Sequence, residues 1–563
     1  MAKRAEIVIG IDFGTTFSGL SWAVNLGEKK VSVVNSWETL TSFRPTNDKV
    51  PTQISYTGNE PTSYGYTANK KPFKWFKVLL QQGHYSEGVK DVRAAQDSLS
   101  EVSKSIDEVV SDYLRWLWGR GKEDISRKQG SNFEEEYECR VVLTVPAVWS
   151  PVAKDRTLKA AKKAGLPSNI NLVTEPEAAA LATLKEVSSE GRLNVGDVFI
   201  VCDAGGGTVD LISYMVTQAS PLQIRECGVG EGGLCGSIFL DLAFENFIKT
   251  KVGELKYNSI QERHKKKMLD EFENQIKWNF EGDAKRLYSV ELRGAGDDQE
   301  EDEDLIEVEG GTICSIFDDV CGRIDTLVEN QMEQIKAEGR NTKAILLVGG
   351  FGSSRYLYSR LNKIYKGQGI SVLQSKDSWS AVCRGATMWG LEHSFIVSRN
   401  ARYSYGSALR TKFIDGEHEE NDRVWDASCG VHRASDQMVW VLKRGEEIRN
   451  GRVVGWKGFT PILERKLMST KTHSFTRTLY YSEQKTAPRR RLDGAIPLAT
   501  ISFEIDSAKI LKLKRRKGAD GNTWIDVHSN AEIKLHNADL GFNIFFEGES
   551  VGYTQVEYKE DSG

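Results

Sequence analysis

The sequence predicts an α/β protein in which two similar lobes precede a smaller domain made mostly of β-strands. Two segments predict the lobes: residues 198–214 (VFIVCDAGGGTVDLISY) and 7–24 (IVIGIDFGTTFSGLSWAV) share the layout strand, glycine-containing turn, strand. A change near residue 395 predicts the smaller domain, because short alternating runs such as 438–442 replace long helical patterns there. We place this domain at 396–563 and expect a sandwich or partial barrel.

The turn at 203–210 has the residue types that a phosphate group requires. An apolar strand ends at Asp203, and Gly205, Gly206 and Gly207 allow main-chain N–H groups to approach a ligand closely. Thr208 adds a hydroxyl, and Asp203 with Asp210 can hold a hydrated magnesium ion. The alternative interpretation is an ordinary glycine-rich hairpin turn.

The N-terminal segment repeats this arrangement. Its first strand ends at Asp12, Gly14 opens the turn, and Thr15 and Thr16 supply hydroxyls before Phe17 begins the returning strand. Two phosphate hairpins in one chain indicate an internal duplication, with two lobes facing each other across a nucleotide.

Composition excludes several classes of protein. A net charge of −4 over 563 residues gives no global field that favours nucleic acid or membrane as a partner. The basic runs at 263–267, 489–491 and 514–517 read as solvated faces, with an anionic partner as the alternative. No apolar segment approaches the ~20 residues of a membrane span, so we expect a cytoplasmic protein, the nucleus not being excluded. Eight cysteines without CxxC pairing disfavour zinc and disulfides.

Hydrophobic periodicity predicts the connecting elements. They are a helix at 102–118, a strand at 140–145, a helix at 151–165, a strand from 171 leading into an alanine-rich helix at Glu175-Pro176, a long charged helix at 259–280, an acidic loop at 297–304, a helix at 312–337 and a strand at 344–348.

Further ligand-binding residues are expected at three other places. Gly232 and Gly233, in the glycine-rich stretch 227–241, could approach a nucleotide, and Gly349-Gly350 ends a strand where ligands of α/β sheets bind. One of the lysines in 70–77 could reach a phosphate from the neighbouring lobe.

Five stretches in order, IDFGTT, LTVPAVWS, VTEPEAAA, CDAGGGTVD and LLVGGFGSS, resemble the heat shock protein 70 (Hsp70) family of actin-like ATPases. The resemblance covers roughly residues 5–395 and is closest to divergent members that lack the helical lid. It implies a ribonuclease H-like, two-lobe nucleotide-binding domain at 1–395, with lobe I about 1–195 and lobe II about 196–395.

The resemblance also implies roles for particular residues. Asp12 and Asp203 would hold magnesium through water, and Glu175 would stand near the attacking water, although it could also be a simple helix-start residue. Lys77, with Lys74 as the alternative, would align water and γ-phosphate. The adenosine contacts would be Gly349, Gly350 and Arg355 on one side and Glu273 with Lys277 on the other.

Phosphoanhydride hydrolysis needs backbone donors, Mg²⁺, an aligned water and a nearby carboxylate, and all these parts are present. We therefore expect an ATPase that uses ATP/ADP and Mg²⁺, whose nucleotide state is coupled to the C-terminal domain and to a protein client or co-chaperone. The alternatives are a nucleotide-sensing scaffold without turnover and a sugar kinase of the same superfamily.

The chain departs from the family pattern in several ways. Phe351 and Gly352 are extra residues in the adenosine turn, and Glu273 and Lys277 are four apart where the family has three. The family's acidic, leucine-rich linker has no counterpart at 385–400, no helical lid follows the β domain, and the tail at 559–563 lacks the co-chaperone motif. These departures argue against peptide chaperoning more than against ATP binding.

Overall fold

The structure is a computed structural model that describes residues 5–39, 47–68, 71–81, 90–189, 193–295, 304–375, 377–392, 395–449, 452–536 and 539–555. Lys70, most of the acidic loop at 297–304 and the tail at 559–563 lie outside the described residues. The chain divides into two compact units, Met1–Ile396 and Val397–Gly563. No helix within the described ranges is long and apolar enough to cross a membrane.

The first lobe is built on one twisted sheet with helices around it. Its strands are β1 (Glu6–Asp12), β2 (Phe17–Val24), β3 (Ser32–Val33), β4 (Lys49–Pro51), β5 (Gln53–Thr57), β6 (Glu60–Tyr64), β7 (Phe73–Lys74), β8 (Glu138–Val145) and β9 (Asn169–Thr174), and its helices are α1 (Lys90–Ser100), α2 (Ile106–Gln129), α3 (Phe133–Glu136), α4 (Pro151–Lys163) and α5 (Glu175–Ser189). The main sheet has the order β3-β2-β1-β8-β9, with β4 also on β2, and β5 pairs with β6 and β7 in a small separate sheet.

The second lobe repeats this plan. Its strands are β10 (Val198–Ala204), β11 (Val209–Ala219), β12 (Leu222–Gly233), β13 (Leu287–Glu291), β14 (Leu305–Glu309), β15 (Thr342–Val348) and β16 (Ser371–Gln374), and its helices are α6 (Ile238–Val252), α7 (Glu254–Ser259), α8 (Glu262–Glu271), α9 (Gly310–Ala337), α10 (Arg355–Tyr365) and α11 (Ala381–Leu391). Within this unit the sheet order is β12-β11-β10-β15-β16.

The two sheets match strand for strand, which confirms the predicted duplicated α/β fold. In each, a central strand pairs antiparallel with its hairpin partner, β1 with β2 and β10 with β11. On its other side the central strand pairs parallel with a strand from later in the chain, β8 or β15, which in turn pairs parallel with β9 or β16. Parallel strands end at the same sheet edge, so Asp12, Glu175, Asp203 and Gly349 all lie at the carboxyl edges of the sheets.

The alanine-rich helix α5 and helix α11 form the core between the sheets. They approach so closely that a Cβ on Gly385 would lie 1.8 Å from the carbonyl oxygen of Ala178. Glycine and alanine at this contact let the two helix backbones meet directly.

One predicted element differs from the structure. The long helix expected at 259–280 is interrupted because Ile260 is extended (φ −68°, ψ 138°) and buried, and the chain resumes as α8 followed by a π-helix at Phe272–Lys277. The glycine-rich stretch after residue 227 is held in strand β12 as far as Gly233 by its pairing with β11.

The second unit is mostly β, in line with the predicted fold class. Its strands are β17 (Ile396–Asn400), β18 (Ser404–Lys412), β19 (Arg423–Asp426), β20 (Val431–Leu442), β21 (Glu447–Arg449), β22 (Val453–Leu463), β23 (Thr472–Ser482), β24 (Ile496–Asp506), β25 (Arg515–Lys517), β26 (Thr523–His536), β27 (Asp539–Phe546) and β28 (Glu549–Gln555), and its helices are α12 (Glu464–Met468) and α13 (Ser507–Ile510). The sheets β19-β20-β18-β23-β24 and β22-β26-β27-β28 share one apolar core that includes Leu479, Ile501, Ile525 and Phe542. Two sheets on a shared core form a sandwich.

Candidate functional site

A cavity of about 590 Å³ opens between the two lobes of the first unit. Predicted residues from both lobes line it: Asp12, Gly14, Thr15, Thr16, Phe17, Lys74, Lys77, Glu175, Asp203, Gly205, Gly206, Gly207, Thr208, Glu273, Lys277, Gly349 and Gly350. The volume is in the ordinary range for a small-molecule site, about 300–1,000 Å³. The duplicated strand ends therefore converge on one cavity.

The two hairpin turns touch each other at the floor of this cavity. A Cβ on Gly206 would lie 2.1 Å from the Thr16 hydroxyl oxygen, and one on Gly207 would lie 2.9 Å from that of Thr15. The second turn is also tied to the start of α6, because Ile238 N–H donates to the Gly206 carbonyl (2.9 Å). Glycine is required here because the opposing turn leaves no room for a side chain.

Lys77 and Glu175 form a buried ion pair beside the turns. Lys77 Nζ lies 2.5 Å from Glu175 Oε1, and the lysine side chain is only 2% exposed. The Trp149 ring holds the ammonium from one side, 5.2 Å from its centroid. Trp75, in the left-handed region at φ 58°, turns the chain into the 3-10 helix Phe76–Leu80 that carries Lys77. Of the two candidate lysines, Lys74 and Lys77, it is Lys77 that forms the ion pair with Glu175.

Burial and neighbouring carboxylates perturb this group of acids. Burial, together with the negative charges of Asp12 and Asp210, raises the pKa of Glu175 to about 7. The Lys77 ammonium acts in the opposite direction and lowers this pKa, but it does not cancel the rise. Burial also raises the pKa of Asp203 well above its usual range, with further contributions from the negative charges of Glu175 and Asp12. The cavity floor therefore concentrates negative potential, which favours a cation.

Lys49 is a site residue that the sequence reasoning missed. Its Nζ lies 2.6 Å from Asp12 Oδ2, and both side chains are nearly inaccessible. Burial alone would lower the pKa of Lys49, but the attraction of Asp12 outweighs it and leaves that pKa above the ordinary value. The short strand β4 delivers Lys49 by pairing with β2 at Gly19. No sequence motif identifies a lysine that so short a strand places in the cavity.

The other wall of the cavity carries a second charged group. Lys277 Nζ contacts both oxygens of Asp241 at 2.9 Å and also pairs with Glu273. Burial, opposed by Lys277, raises the pKa of Asp241 to about 7. At their spacing of four, Glu273 and Lys277 lie on one face of the π-helix, whose turn is wider than that of an α-helix. Asp241, on α6, was also missed.

Three predicted contact residues lie outside the cavity lining: Gly232, Gly233 and Arg355. Gly232 is paired with Asp210 inside the sheet, because 227–233 lies in strand β12. Arg355 begins α10 and pairs with Glu281 at 2.6 Å, 62% exposed. The extra residue Phe351 is buried in a short 3-10 turn before α10, which separates Arg355 from the glycines.

Asp210, the second magnesium candidate of the hairpin, has a different place from Asp203. Its Oδ1 accepts a hydrogen bond from the Val148 N–H (3.1 Å), which links the second hairpin to the loop after β8. Asp203 lines the cavity, is 6% exposed and has no hydrogen-bond or ion-pair partner among the described residues. A buried, unpaired carboxylate at a cavity surface fits a hydrated divalent cation.

Within the described ranges, no three His, Cys, Asp or Glu side chains converge closely enough to ligate a metal directly. The donor set of the floor is instead two single carboxylates, Asp12 and Asp203, with the Thr15 and Thr16 hydroxyls. Such a set suits magnesium, which keeps several of its waters and takes further oxygens from phosphates.

Fold and cavity together define the class: a two-lobe, actin-like nucleotide-binding domain with paired hairpins, followed by a β-sandwich unit. Comparison with known proteins agrees, because the family model described as Hsp70 protein matches residues 127–391. Heat shock 70 kDa protein 12A of Homo sapiens is 24% identical over 553 residues, 82% of this chain and 80% of that protein.

Other relatives extend the comparison. Heat shock 70 kDa protein 12B of Homo sapiens is 22% identical over 513 residues, 73% of this chain and 72% of its own length. The chaperone protein HscA homolog of Rickettsia peacockii (strain Rustic) is 28% identical over 231 residues, 39% of this chain and 34% of that protein. The predicted resemblance is confirmed: a model of the Hsp70 family matches residues 127–391, and the chain is similar over most of its length to divergent members of that family.

Proposed function

We propose that the first unit binds and hydrolyses ATP with the help of magnesium. The observation that carries this proposal is the contact of the two glycine-rich hairpin turns beside the buried Lys77–Glu175 pair. Phosphoryl transfer to water depends on positioning and charge neutralisation more than on covalent chemistry. The floor of the cavity offers both.

The turns hold the triphosphate. The main-chain N–H groups of Gly206 and Gly207 and the hydroxyls of Thr15, Thr16 and Thr208 supply the donors, while the Gly205 N–H closes the turn on the Thr208 carbonyl. Asp12 and Asp203 would hold magnesium through its waters, and the bound ion would supply neutralisation of the charge on the phosphate oxygens. The raised pKa of Asp203 is consistent with this role, since a carboxylate crowded by other negative groups gains most from a cation.

Lys77 and Glu175 act on the nucleophile. Glu175 orients the attacking water and accepts its proton, which its pKa of about 7 suits at neutral pH. Lys77 holds Glu175 in place and directs its positive charge toward the γ-phosphate. Removing either leaves the other charge buried without a counterion.

We further propose that nucleotide state is read by the β-sandwich unit and by a protein partner, a client or a co-chaperone. ATP can drive such a change only if it binds the closed lobes better than the open ones. Comparing capture of an unstructured peptide library with and without Mg-ATP tests the coupling. Identical capture under both conditions would count against it.

Single-turnover ATP hydrolysis by the wild type and by Asp203→Asn, with nucleotide affinity measured on both, tests the ATPase proposal. We expect turnover to fall at least about 100-fold in the variant while binding largely survives, as is typical of residues that stabilise developing charge. Asp319→Asn is the matched control, because Asp319 on α9 is 70% exposed and its loss should leave both quantities unchanged. Absence of nucleotide binding in the wild type would overturn the proposal.

One observation favours a second function, a nucleotide-sensing scaffold with little turnover. Lys49 already neutralises Asp12, so part of the charge that would hold magnesium is satisfied by the protein itself. Tight binding of ATP by the wild type without single-turnover hydrolysis would favour the scaffold over the ATPase.

A further inference from the structure

Two tryptophans form a corner of the cavity that the phosphate-binding parts do not use. Trp278 and Trp379 both line the cavity and are half-buried. Their ring centroids are 6.3 Å apart and their planes meet at 86°. One ring face and one ring edge therefore meet at right angles inside the cavity.

Trp379 is held rigidly in this position. Its indole N–H donates to Asn47 Oδ1 (2.9 Å), and the Phe17 ring contacts it edge-on with centroids 5.1 Å apart. Gly350 packs against it so closely that a Cβ there would lie 2.8 Å from the ring. Because polar and apolar contacts both fix the ring, its remaining surface is preorganised for a ligand.

Trp278 is placed by the π-helix, which ends at the residue before it. The Lys277 ammonium lies 5.8 Å from its ring centroid, but Asp241 and Glu273 already neutralise that charge. What Trp278 adds to the cavity is therefore mainly apolar aromatic surface.

The corner lies next to the phosphate-binding turns. Phe17, which touches Trp379, directly follows Thr16 of the first turn. Gly350, which also contacts this ring, follows Gly349, where a Cβ would lie 2.4 Å from Asp203 Oδ1. In a nucleotide whose phosphates lie in the turns, the sugar joins the base to those phosphates. The base would therefore reach the two rings.

We propose that Trp278 and Trp379 form the surface on which the nucleobase stacks. This inference rests on the proposed function and adds to it the way in which the base is recognised. Arg355, one of the expected adenosine contacts, lies outside the cavity lining and pairs with Glu281, whereas the two tryptophan rings line the cavity. Every base has a π-face, so stacking discriminates weakly between bases. The site therefore accepts nucleoside triphosphates with little preference between adenine and guanine.

Affinity for Mg-ATP, Mg-GTP and Mg-tripolyphosphate, measured calorimetrically on the full chain, tests the inference because tripolyphosphate has no base. We expect Trp379→Ala and Trp278→Ala each to weaken ATP binding roughly 5- to 150-fold, the cost of losing one stacking partner. Tripolyphosphate affinity should not change, and GTP should bind about as tightly as ATP. Trp379→Phe, which keeps a π-face, should recover most of the loss.

Trp425→Ala is the matched control, because Trp425 is 57% exposed in the second unit and its loss should leave all three affinities unchanged. An equal loss of ATP and tripolyphosphate affinity in the alanine variants would indicate a structural role and overturn the inference. Equal affinity of the wild type for ATP and tripolyphosphate would overturn it while leaving phosphate binding intact. If the wild type binds neither, the proposed function fails as well.

Discussion

The ammonium of Lys77 lies 2.5 Å from the carboxylate of Glu175, and the two side chains are 2% and 11% exposed. The partners are 98 positions apart in the chain and are brought together by the turn at Trp75 and by the end of β9. A charge pair so far from water is costly to assemble and more costly to break. Its chemistry should therefore be visible both in the pH dependence of hydrolysis and in stability.

The pH dependence of hydrolysis should follow Glu175. Burial raises the pKa of Glu175 to about 7, so at pH 6 most of the carboxyl is protonated and cannot accept a proton from water. We expect kcat/KM for ATP hydrolysis, which reports the free enzyme, to rise with pH through about 7. In Glu175→Gln the profile should be low and flat in this range. A wild-type profile that is level from pH 6 to 8 would exclude Glu175 as the base.

The stability of the ion pair should also depend on pH. Lys77→Met leaves Glu175 buried and unpaired, and we expect a loss of about 3–5 kcal/mol in the free energy of unfolding at pH 8. Glu175 has a raised pKa in the folded state, so its favourable contribution is complete at low pH and is lost as pH rises through that pKa. The loss should therefore be smaller at pH 5. Urea unfolding at both pH values measures it.

The double variant Lys77→Met/Glu175→Gln is the control for this stability effect. It removes both charges, so its own stability should change much less between pH 5 and pH 8 than that of the single variant. A Lys77→Met loss that is the same at pH 5 and pH 8 would contradict the assignment.

The fold was predictable because its signals are local. A buried strand, an aspartate and a glycine turn follow one another directly in the chain, and the two copies reveal the duplicated sheets. Lys49 and Asp241 were missed because their roles come from partners brought together by folding, Asp12 and Lys277. A lysine on a short strand and an aspartate in a helix have no local pattern that distinguishes them from surface residues.

Arg355 is the opposite case, because the sequence predicted it as a site residue and the structure places it outside the cavity lining. Its position after the glycine turn matched the resemblance, but the burial of Phe351 in the intervening turn moved it out of the cavity lining. Sequence spacing cannot show how two inserted residues are absorbed, because that depends on the apolar space available beneath the turn. Trp379 was missed for a related reason, since its contacts Asn47 and Phe17 both belong to the first lobe, far from it in the chain.

The contact between the hairpins predicts opposite effects for two glycine substitutions. Gly206→Ala would place a Cβ 2.1 Å from the Thr16 hydroxyl oxygen, so we expect a loss of about 1–3 kcal/mol from overpacking and weaker nucleotide binding. Gly119→Ala, in helix α2 with open space around it, should be neutral or gain up to about 1 kcal/mol. Thermal unfolding and ATP titration measure both. Equal behaviour of the two variants would show that the turns do not meet.

The Lys49–Asp12 pair predicts a link between stability and magnesium. Lys49→Met leaves Asp12 buried, 3% exposed, without its counterion, and should lower the unfolding temperature in magnesium-free buffer. Magnesium that binds only the folded protein restores stability by mass action. We expect added Mg²⁺ to raise the unfolding temperature more in Lys49→Met than in the wild type. Differential scanning calorimetry with and without Mg²⁺ measures this, and an equal rise in both proteins would contradict it.

The group around Lys277 predicts a moderate effect from removing one cation. The Lys277 side chain is 3% exposed, and its ammonium pairs with two carboxylates, Asp241 and Glu273, whose side chains are 25% and 29% exposed. Because those acids are partly hydrated, we expect Lys277→Met to cost about 1–3 kcal/mol, less than a fully buried pair would. Lys249→Met, which breaks the more exposed pair with Glu245, should cost at most about 1 kcal/mol.

Neutralising the acids separates charge from packing at this site. In the triple variant Lys277→Met/Asp241→Asn/Glu273→Gln no carboxylate of the group is left unpaired, so much of the lost stability should return. Urea unfolding of the wild type and both variants at pH 8 measures the difference, since the pKa of Asp241, about 7, leaves it mostly ionised there. If the triple variant is no more stable than Lys277→Met, the lysine stabilises the π-helix by packing its methylene groups, and the charge pairing contributes little.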